Sequence, residues 1–126
     1  MSEFTPMPSD FWEGLSGSRT TGEAIAAHLE AAGEFMEREG WDPQLYGLGS
    51  NRQLSDALRQ TAMDGLGDAD TRYLARSCME LVLRTRLGVT YVDYEVWTEN
   101  LHRTLDEVLE LLTATAAYAR QYGPRA

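Results

Sequence analysis

The stretch that decides the fold is residues 20–40, which read TTGEAIAAHLEAAGEFMEREG. Thr20 and Glu23 have the spacing of a capping box, in which a hydroxyl and a carboxylate each bind a free backbone amide at the start of a helix. Apolar residues then recur every three or four positions, and Gly40 supplies the left-handed residue that commonly ends a helix. The stretch therefore predicts one amphipathic helix. Its apolar stripe is Ile25, Leu29, Ala32 and Met36.

Two further features of this helix concern its packing. His28 and Phe35 flank the apolar stripe, so we expect both to border the core. Gly33 lies in the middle of the helix, where glycine costs about 1 kcal/mol relative to alanine. A close contact with a neighbouring helix would justify it.

Three more helices are predicted by the same signals. The second begins at Ser50, with Gln53 completing a capping box, and its inner face ends before Gly65 and Gly67. The third begins at Asp68 or Asp70 and ends at Gly88, and the last begins at Thr104 with Glu107 in capping-box position. The predicted inner faces are Leu54, Ala57, Leu58, Thr61 and Ala62; Leu74, Cys78, Leu81 and Val82; and Leu105, Val108, Leu109, Leu112 and Ala116.

Residues 89–97 are ambiguous, because branched and aromatic residues of this kind favour strands. A strand needs a partner, and no other segment has the pattern of a strand. We therefore predict a short helix capped by Thr90 or Asp93. The fold class that follows is all-α, a compact bundle of four main helices with short connecting helices.

Residues 1–19 contain prolines and glycines among polar residues, a composition that breaks regular structure. We predict a flexible N-terminal arm over 1–19 and a single helical domain over 20–123. Phe11 and Trp12 place large apolar side chains in the arm, where they dock either on a partner or on the domain itself.

The composition excludes several classes of function. The 126 residues carry a net charge of -9, and all 11 basic residues are arginine. Without lysine there is no Schiff-base amine and no P-loop lysine. Two histidines and one cysteine are too few for most structural zinc sites. The acidic balance disfavours nucleic acid and anionic membranes as partners.

The sequence also bears on the compartment. The lone Cys78 fits a reducing compartment, and it has the position of a small core side chain on the third helix. No apolar run approaches the ~20 residues that span a bilayer, and the N-terminus lacks the pattern of a signal peptide. We expect a cytoplasmic protein.

Two clusters carry a family resemblance: Gly40-Trp41 followed by Gln44 and Tyr46, and Trp97 followed by Arg103, Thr104, Glu107 and Val108. Over residues 22–118 the chain resembles a family of small, uncharacterised helical proteins from actinobacteria and their phages. The resemblance implies an all-helical fold and implies no activity.

The same motif residues have a structural interpretation. Trp41 follows a helix end, and Trp97 precedes the last helix, so each is expected to cover a helix end. Thr104 and Glu107 would cap the last helix. The alternative, a ligand cage, requires both tryptophans to line one concave surface.

Paired glutamates give the enzymatic alternative. Glu34 and Glu37, like Glu107 and Glu110, are three residues apart and share a helix face, as in magnesium-dependent nucleotide pyrophosphatases. Both pairs lie beside or opposite the apolar stripes, so we expect them to face water. Glu99 and His102 match one copy of the Glu-x-x-His pattern of di-iron bundles, which need two copies.

These observations favour a non-enzymatic interaction or regulatory protein, of the inhibitor or immunity type, with no catalytic residue, metal or cofactor. The expected partner is a basic protein, and self-association is a second use of the apolar surface. The predicted anchors are exposed aromatic residues surrounded by acidic groups. They are Phe11, Trp12, Tyr91 and Tyr94. A small metal-dependent hydrolase using the four glutamates is the alternative.

Overall fold

A computed structural model describes residues 4, 6–41, 54–98 and 103–125. Within these residues the fold is all-α, as predicted. The four main helices are α1 (Gly22–Glu39), α2 (Leu54–Met63), α3 (Ala69–Leu87) and α5 (Leu105–Tyr122). A short helix, α4 (Tyr94–Thr98), precedes α5, and a 3-10 turn covers Ser9–Trp12. No strand occurs in this part of the chain, apart from one isolated bridge between Glu13 and Arg19.

Helix α1 is the centre of the bundle, because it packs against α2, α3 and α5. It runs antiparallel to α5, because its start lies beside the end of α5 and its later part beside the beginning of α5. The Gly22 amide donates to the Pro124 carbonyl over 2.9 Å. A Cβ at Gly33 would lie 3.4 Å from methyl carbons of Leu109 and Leu112. A side chain at Gly22 would overlap the Ala119 carbonyl, so this crossing requires glycine. The antiparallel pair fixes which side chains of α1 and α5 face each other.

The core contains most of the predicted apolar faces together with buried residues that the prediction left out: Trp12, Ala26, Ala75, Met79, Leu83, Tyr94, Leu111, Tyr118 and Ala119. The α1 stripe of Ile25, Leu29, Ala32 and Met36 is fully buried, which confirms its assignment. Most predicted inner-face residues of the other helices are buried as well, whereas Ala62, Leu81, Leu105 and Leu109 are partly buried. His28 is fully buried and Phe35 partly buried.

Most helix ends follow the sequence signals, and the start of α1 is the exception. Thr21, not Thr20, caps α1, because its hydroxyl accepts from the Ala24 amide. Glu23 therefore does not complete a capping box. Asp68 caps α3, accepting from the Thr71 amide over 2.8 Å, while Asp70 is held elsewhere. The predicted stops at Gly40 and Gly88 are confirmed.

The later part of the chain also follows prediction. Thr104 and Glu107 form the predicted capping box of α5. The ambiguous segment contains the short helix α4, and Asp93 rather than Thr90 accepts from the Glu95 amide over 2.9 Å. The predicted start of the second helix at Ser50 and Gln53 lies outside the described residues.

The described part of the arm packs on the helical domain. Trp12 is only 2% exposed, and its ring stacks on Tyr118 of α5 at 6.0 Å. Phe4 contacts the same tyrosine ring edge-on at 5.6 Å. Ser16 donates from its amide and hydroxyl to the Asp70 carboxylate at the start of α3. The arm thus ties α3 to the end of α5.

No helix among the described residues is both long and apolar enough to cross a membrane.

Candidate functional site

The four predicted aromatic anchors occupy very different environments. Tyr91 is 78% exposed and Phe11 partly buried. Trp12 and Tyr94, at 2% and 1% exposure, belong to the core, so the expectation that they are exposed is wrong. The physical reason is burial of large aromatic area: Trp12 covers Tyr118 on α5, and Tyr94 fills the space beneath α4. Of the four, Tyr91 is the one that projects fully into solvent.

Tyr91 belongs to a run of exposed apolar side chains that we call the 87–96 surface. Its members are Leu87, Val89, Tyr91 and Val96, with exposures between 45% and 78%. They are half of the eight exposed large apolar residues in the described chain. Single exposed apolar residues are ordinary on a protein surface, whereas four within ten consecutive residues make this segment a candidate interaction site.

Sequence reasoning missed three members of this surface. The available signal was the two-residue spacing of Leu87, the last residue of α3, and of Val89 and Tyr91, which follow the helix stop at Gly88. Such residues are no longer held on the inner face of α3. Val96 was missed because the buried residues of α4 are Tyr94 and Thr98, which leaves the side between them to solvent.

The surface rests on a well-anchored support. The Tyr94 amide donates to Glu80 Oε2 of α3 over 3.2 Å, and the Arg76 guanidinium lies 5.4 Å from the centroid of the Tyr94 ring. Burial raises the pKa of the Tyr94 hydroxyl above its ordinary range. Because α4 is pinned to α3 by its buried face, the exposed side chain of Val96 has a defined position.

The second motif cluster forms one compact corner beside this surface. The Arg103 guanidinium lies 3.7 Å from the Trp97 ring centroid, and its Nε donates to the Trp97 carbonyl over 2.9 Å. Its Nη1 also binds Glu107 Oε2 over 2.9 Å. A hydrogen bond from the Thr104 amide, together with Arg103, lowers the pKa of Glu107. The structure therefore brings Trp97, Arg103, Thr104 and Glu107 together as a link between α4 and α5.

This corner does not have the form of a ligand cage. Arg103 covers one face of the Trp97 ring, so that face is not open to a stacking ligand. Trp41 is partly buried against the core, and its buried indole Nε1 has no hydrogen-bond partner in the described chain. Gln44 and Tyr46, the other members of the first motif, lie outside the described residues.

The glutamates of the enzymatic alternative are not gathered into one site. All four are exposed, as predicted. Glu110 forms a two-pronged ion pair with Arg86 at 2.6 and 2.7 Å, which lowers its pKa, and Glu107 belongs to the corner with Arg103. Glu34 and Glu37 line a groove between α1 and α5. No cluster of three or more metal-ligating side chains occurs among the described residues, which include these four glutamates.

The described cysteine and histidine are both core residues. Cys78 is fully buried, and burial raises the pKa of its thiol to about 12, so the reactive thiolate is disfavoured. His28 Nδ1 lies 3.1 Å from the Leu66 carbonyl oxygen. Because a carbonyl only accepts, Nδ1 carries the proton of the neutral ring. The buried Nε2 then has a bare lone pair and no partner in the described chain. Glu99 and His102 fall outside the described residues.

Comparisons with known proteins place the chain in a family without assigning an activity. No curated protein and no solved structure matches the sequence. Residues 20–118 match a family described as "Family of unknown function (DUF6197)", and these residues contain α1 to α4 and most of α5. The chain therefore belongs to this uncharacterised family.

Proposed function

We propose that the protein is a non-enzymatic interaction protein that binds a basic protein partner through the 87–96 surface. The observation that carries this proposal is the concentration of exposed apolar side chains there, with Tyr91 the most exposed. Tyrosine is among the residues that contribute most to protein interfaces, because its ring buries a large area and its hydroxyl finds a polar partner.

The energetics of this surface fit a partner-binding role. Full burial of a large apolar side chain contributes about 1.5–3 kcal/mol. Because α4 is held against α3, ordering Val96 on binding costs little, so more of its share of that gain is retained as affinity. Together with Leu87, Val89 and Tyr91, it supplies the apolar centre of an interface, which a polar rim would surround.

Charge supports a basic partner. The chain carries a net charge of -9, and Arg86 and Arg103 near this surface are both engaged by carboxylates. Asp93 and Glu95 lie within the same segment, between Tyr91 and Val96. An acidic protein accelerates encounter with a basic partner and disfavours acidic ones. An inhibitor or immunity-type role in the cytoplasm is the form of this function that we favour.

A capture experiment tests the proposal. The full chain is immobilised and compared with a Tyr91→Ser/Val96→Ser variant and with a Leu15→Ser/Met63→Ser control. The control residues are each 73% exposed and lie outside the surface, so the two variants lose similar apolar area. We expect the immobilised parent and the control to retain a basic protein, and the Tyr91→Ser/Val96→Ser variant to lose it.

Sedimentation of the same three proteins separates the partner from self-association. The proposal predicts the same sedimentation for all three. If the parent sediments as a dimer and only the Tyr91→Ser/Val96→Ser variant is monomeric, the surface is an interface between copies and the proposal is wrong.

A further inference from the structure

A second surface lies in a groove between α1 and α5. Its floor is apolar, and its rim on α1 is acidic. The groove has a volume of about 130 Å³, which is smaller than the roughly 300 Å³ of the smallest ordinary ligand pockets and suits a single side chain. The floor is Leu29, Gly33, Leu109 and Leu112, and the rim is Glu30, Glu34, Glu37 and Thr113.

The protein itself shows how an arginine binds α1 beside this groove. Arg120 of α5 donates to both Glu23 and Glu30 through four hydrogen bonds of 2.7–3.0 Å. These hydrogen bonds lower the pKa of both carboxyl groups. The planar guanidinium suits this geometry, because it can present parallel donors to more than one carboxylate.

Glu30 lies at one end of the groove and is bound by Arg120, whereas the end at Glu37 lies two helical turns further along α1 and has no such arginine. Glu37 follows Glu30 by seven residues, and Thr113 precedes Arg120 by seven on the antiparallel helix. Seven residues are close to two turns of an α-helix, so Thr113 occupies the position on α5 that corresponds to Arg120. The Thr113 hydroxyl donates to the Leu109 carbonyl over 3.0 Å, which leaves no donor for the glutamates.

Glu34 and Glu37 are therefore acidic groups without a matching cation. Both are exposed, and neither has an ion pair in the described chain. They stand beside the leucine floor of the groove, so a cation with an apolar stem can contact the floor and the carboxylates together. Arginine has this combination of an aliphatic stem and a charged, planar head.

Gly33 keeps the floor of the groove open. A Cβ at this position would lie 3.4 Å from methyl carbons of Leu109 and Leu112, an ordinary packing distance. Helix packing thus permits alanine here, and alanine would favour the helix by about 1 kcal/mol. The helix contact therefore does not require glycine, whereas a Cβ at this position would occupy part of the groove floor.

We propose that this groove binds an arginine side chain of a basic protein partner. The stem lies on Leu109 and Leu112, and the guanidinium contacts Glu34 and Glu37. The inference rests on the proposed interaction function and names a second contact with the same partner. Its acidic rim and apolar floor complement the two parts of one arginine side chain.

Titration of the full chain with short peptides, followed by amide NMR, tests the groove directly. The probe is a capped Gly-Gly-Arg-Gly-Gly peptide, compared with a norleucine peptide that keeps the stem without the charge. We expect the arginine peptide to shift amide signals of α1 and α5 around Gly33, and the norleucine peptide to leave them in place. Spermidine tests whether a free polyamine is the ligand instead, and stronger groove shifts with spermidine than with the peptide would overturn the proposal.

Two pairs of variants give the decisive comparison. Glu34→Gln/Glu37→Gln should weaken peptide binding about tenfold, as the loss of charge-assisted hydrogen bonds implies. Glu13→Gln/Glu39→Gln removes the same charge from exposed positions outside the groove and should leave binding within about twofold. Equal loss in both double variants would show general charge attraction and overturn the proposal.

Gly33→Ala supplies a test that misfolding cannot imitate. This variant should be at least as stable as the parent and should bind the arginine peptide more weakly, because the methyl group narrows the floor. Unchanged peptide binding by Gly33→Ala would show that the peptide does not contact the groove floor, which would overturn the proposal. None of these titrations involves the 87–96 surface, so failure here and failure of the capture experiment are distinguishable.

Discussion

The buried His28 makes a sharp prediction about stability and pH. In the folded chain its Nδ1–H donates to the Leu66 carbonyl, and its Nε2 has no partner in the described chain. Protonation would place a charged N–H donor in the core without an acceptor. Burial therefore lowers the pKa of His28, while the nearby charges of Arg72 and Asp68 act in opposite directions.

The sign of the effect follows from proton linkage. An unfolded histidine has a pKa near 6.5, whereas the folded one is lower, so the unfolded chain binds more protons as the solution is acidified. Stability is then fully present above about pH 6.5 and falls below it. Between about pH 7.5 and 5.5 the loss from one such group has an upper limit of about 1.4 kcal/mol, which is the free energy that protonation of the unfolded histidine supplies over this range.

Chemical denaturation across this pH range measures the effect against a His28→Asn reference. Asparagine can still donate to the Leu66 carbonyl and does not titrate, and contributions from all other groups cancel in the difference. We expect the free energy of unfolding of the parent, relative to this variant, to fall by up to about 1.4 kcal/mol on acidification. A difference that stays constant with pH would refute the neutral, desolvated state of His28.

Two further changes test the packing of the arm and the start of the last helix. Trp12→Ala should lower the free energy of unfolding by about 3–5 kcal/mol, because Trp12 is buried against Tyr118; a loss below about 1 kcal/mol in chemical denaturation would mean that the arm does not dock in solution. Thr104→Ala should cost about 1 kcal/mol through loss of the helix cap. The matched Thr113→Ala variant, on the exposed face of the same helix, should cost much less, and equal costs would contradict the role of the cap.

The helices and much of the core could be predicted from local sequence. Apolar spacing identified the buried stripe of α1, and glycine identified the ends of α1 and α3. The capping box of α5 was also predictable, since Thr104 and Glu107 interact within one helical turn. All these signals act between residues that are neighbours along the chain.

Contacts between residues far apart in the chain explain where the observed helix caps differ from the predicted ones. The Thr20 amide donates to the Trp12 carbonyl over 3.1 Å, and Glu23 is engaged by Arg120, so neither takes part in the predicted capping box. Asp70 does not cap α3 because Ser16 of the arm binds its carboxylate. Such competition between partners distant in sequence cannot be read from spacing.

The residues of the candidate surface, like the helix caps, could be predicted only in part. Tyr91 was predicted as an anchor from its aromatic side chain alone, and the same reasoning misplaced Trp12 and Tyr94. Whether an aromatic side chain in an irregular segment is buried depends on the helix that it meets. For Trp12 that contact is Tyr118, more than a hundred residues away along the chain.

The proposed function depends on binding of a basic protein by the 87–96 surface. Calorimetry tests it directly, as the affinity of the captured partner for the parent, the Tyr91→Ser/Val96→Ser variant and the Leu15→Ser/Met63→Ser control. We expect at least about a tenfold loss of affinity for the first variant and a change within about twofold for the control. Equal affinity for all three proteins would contradict it.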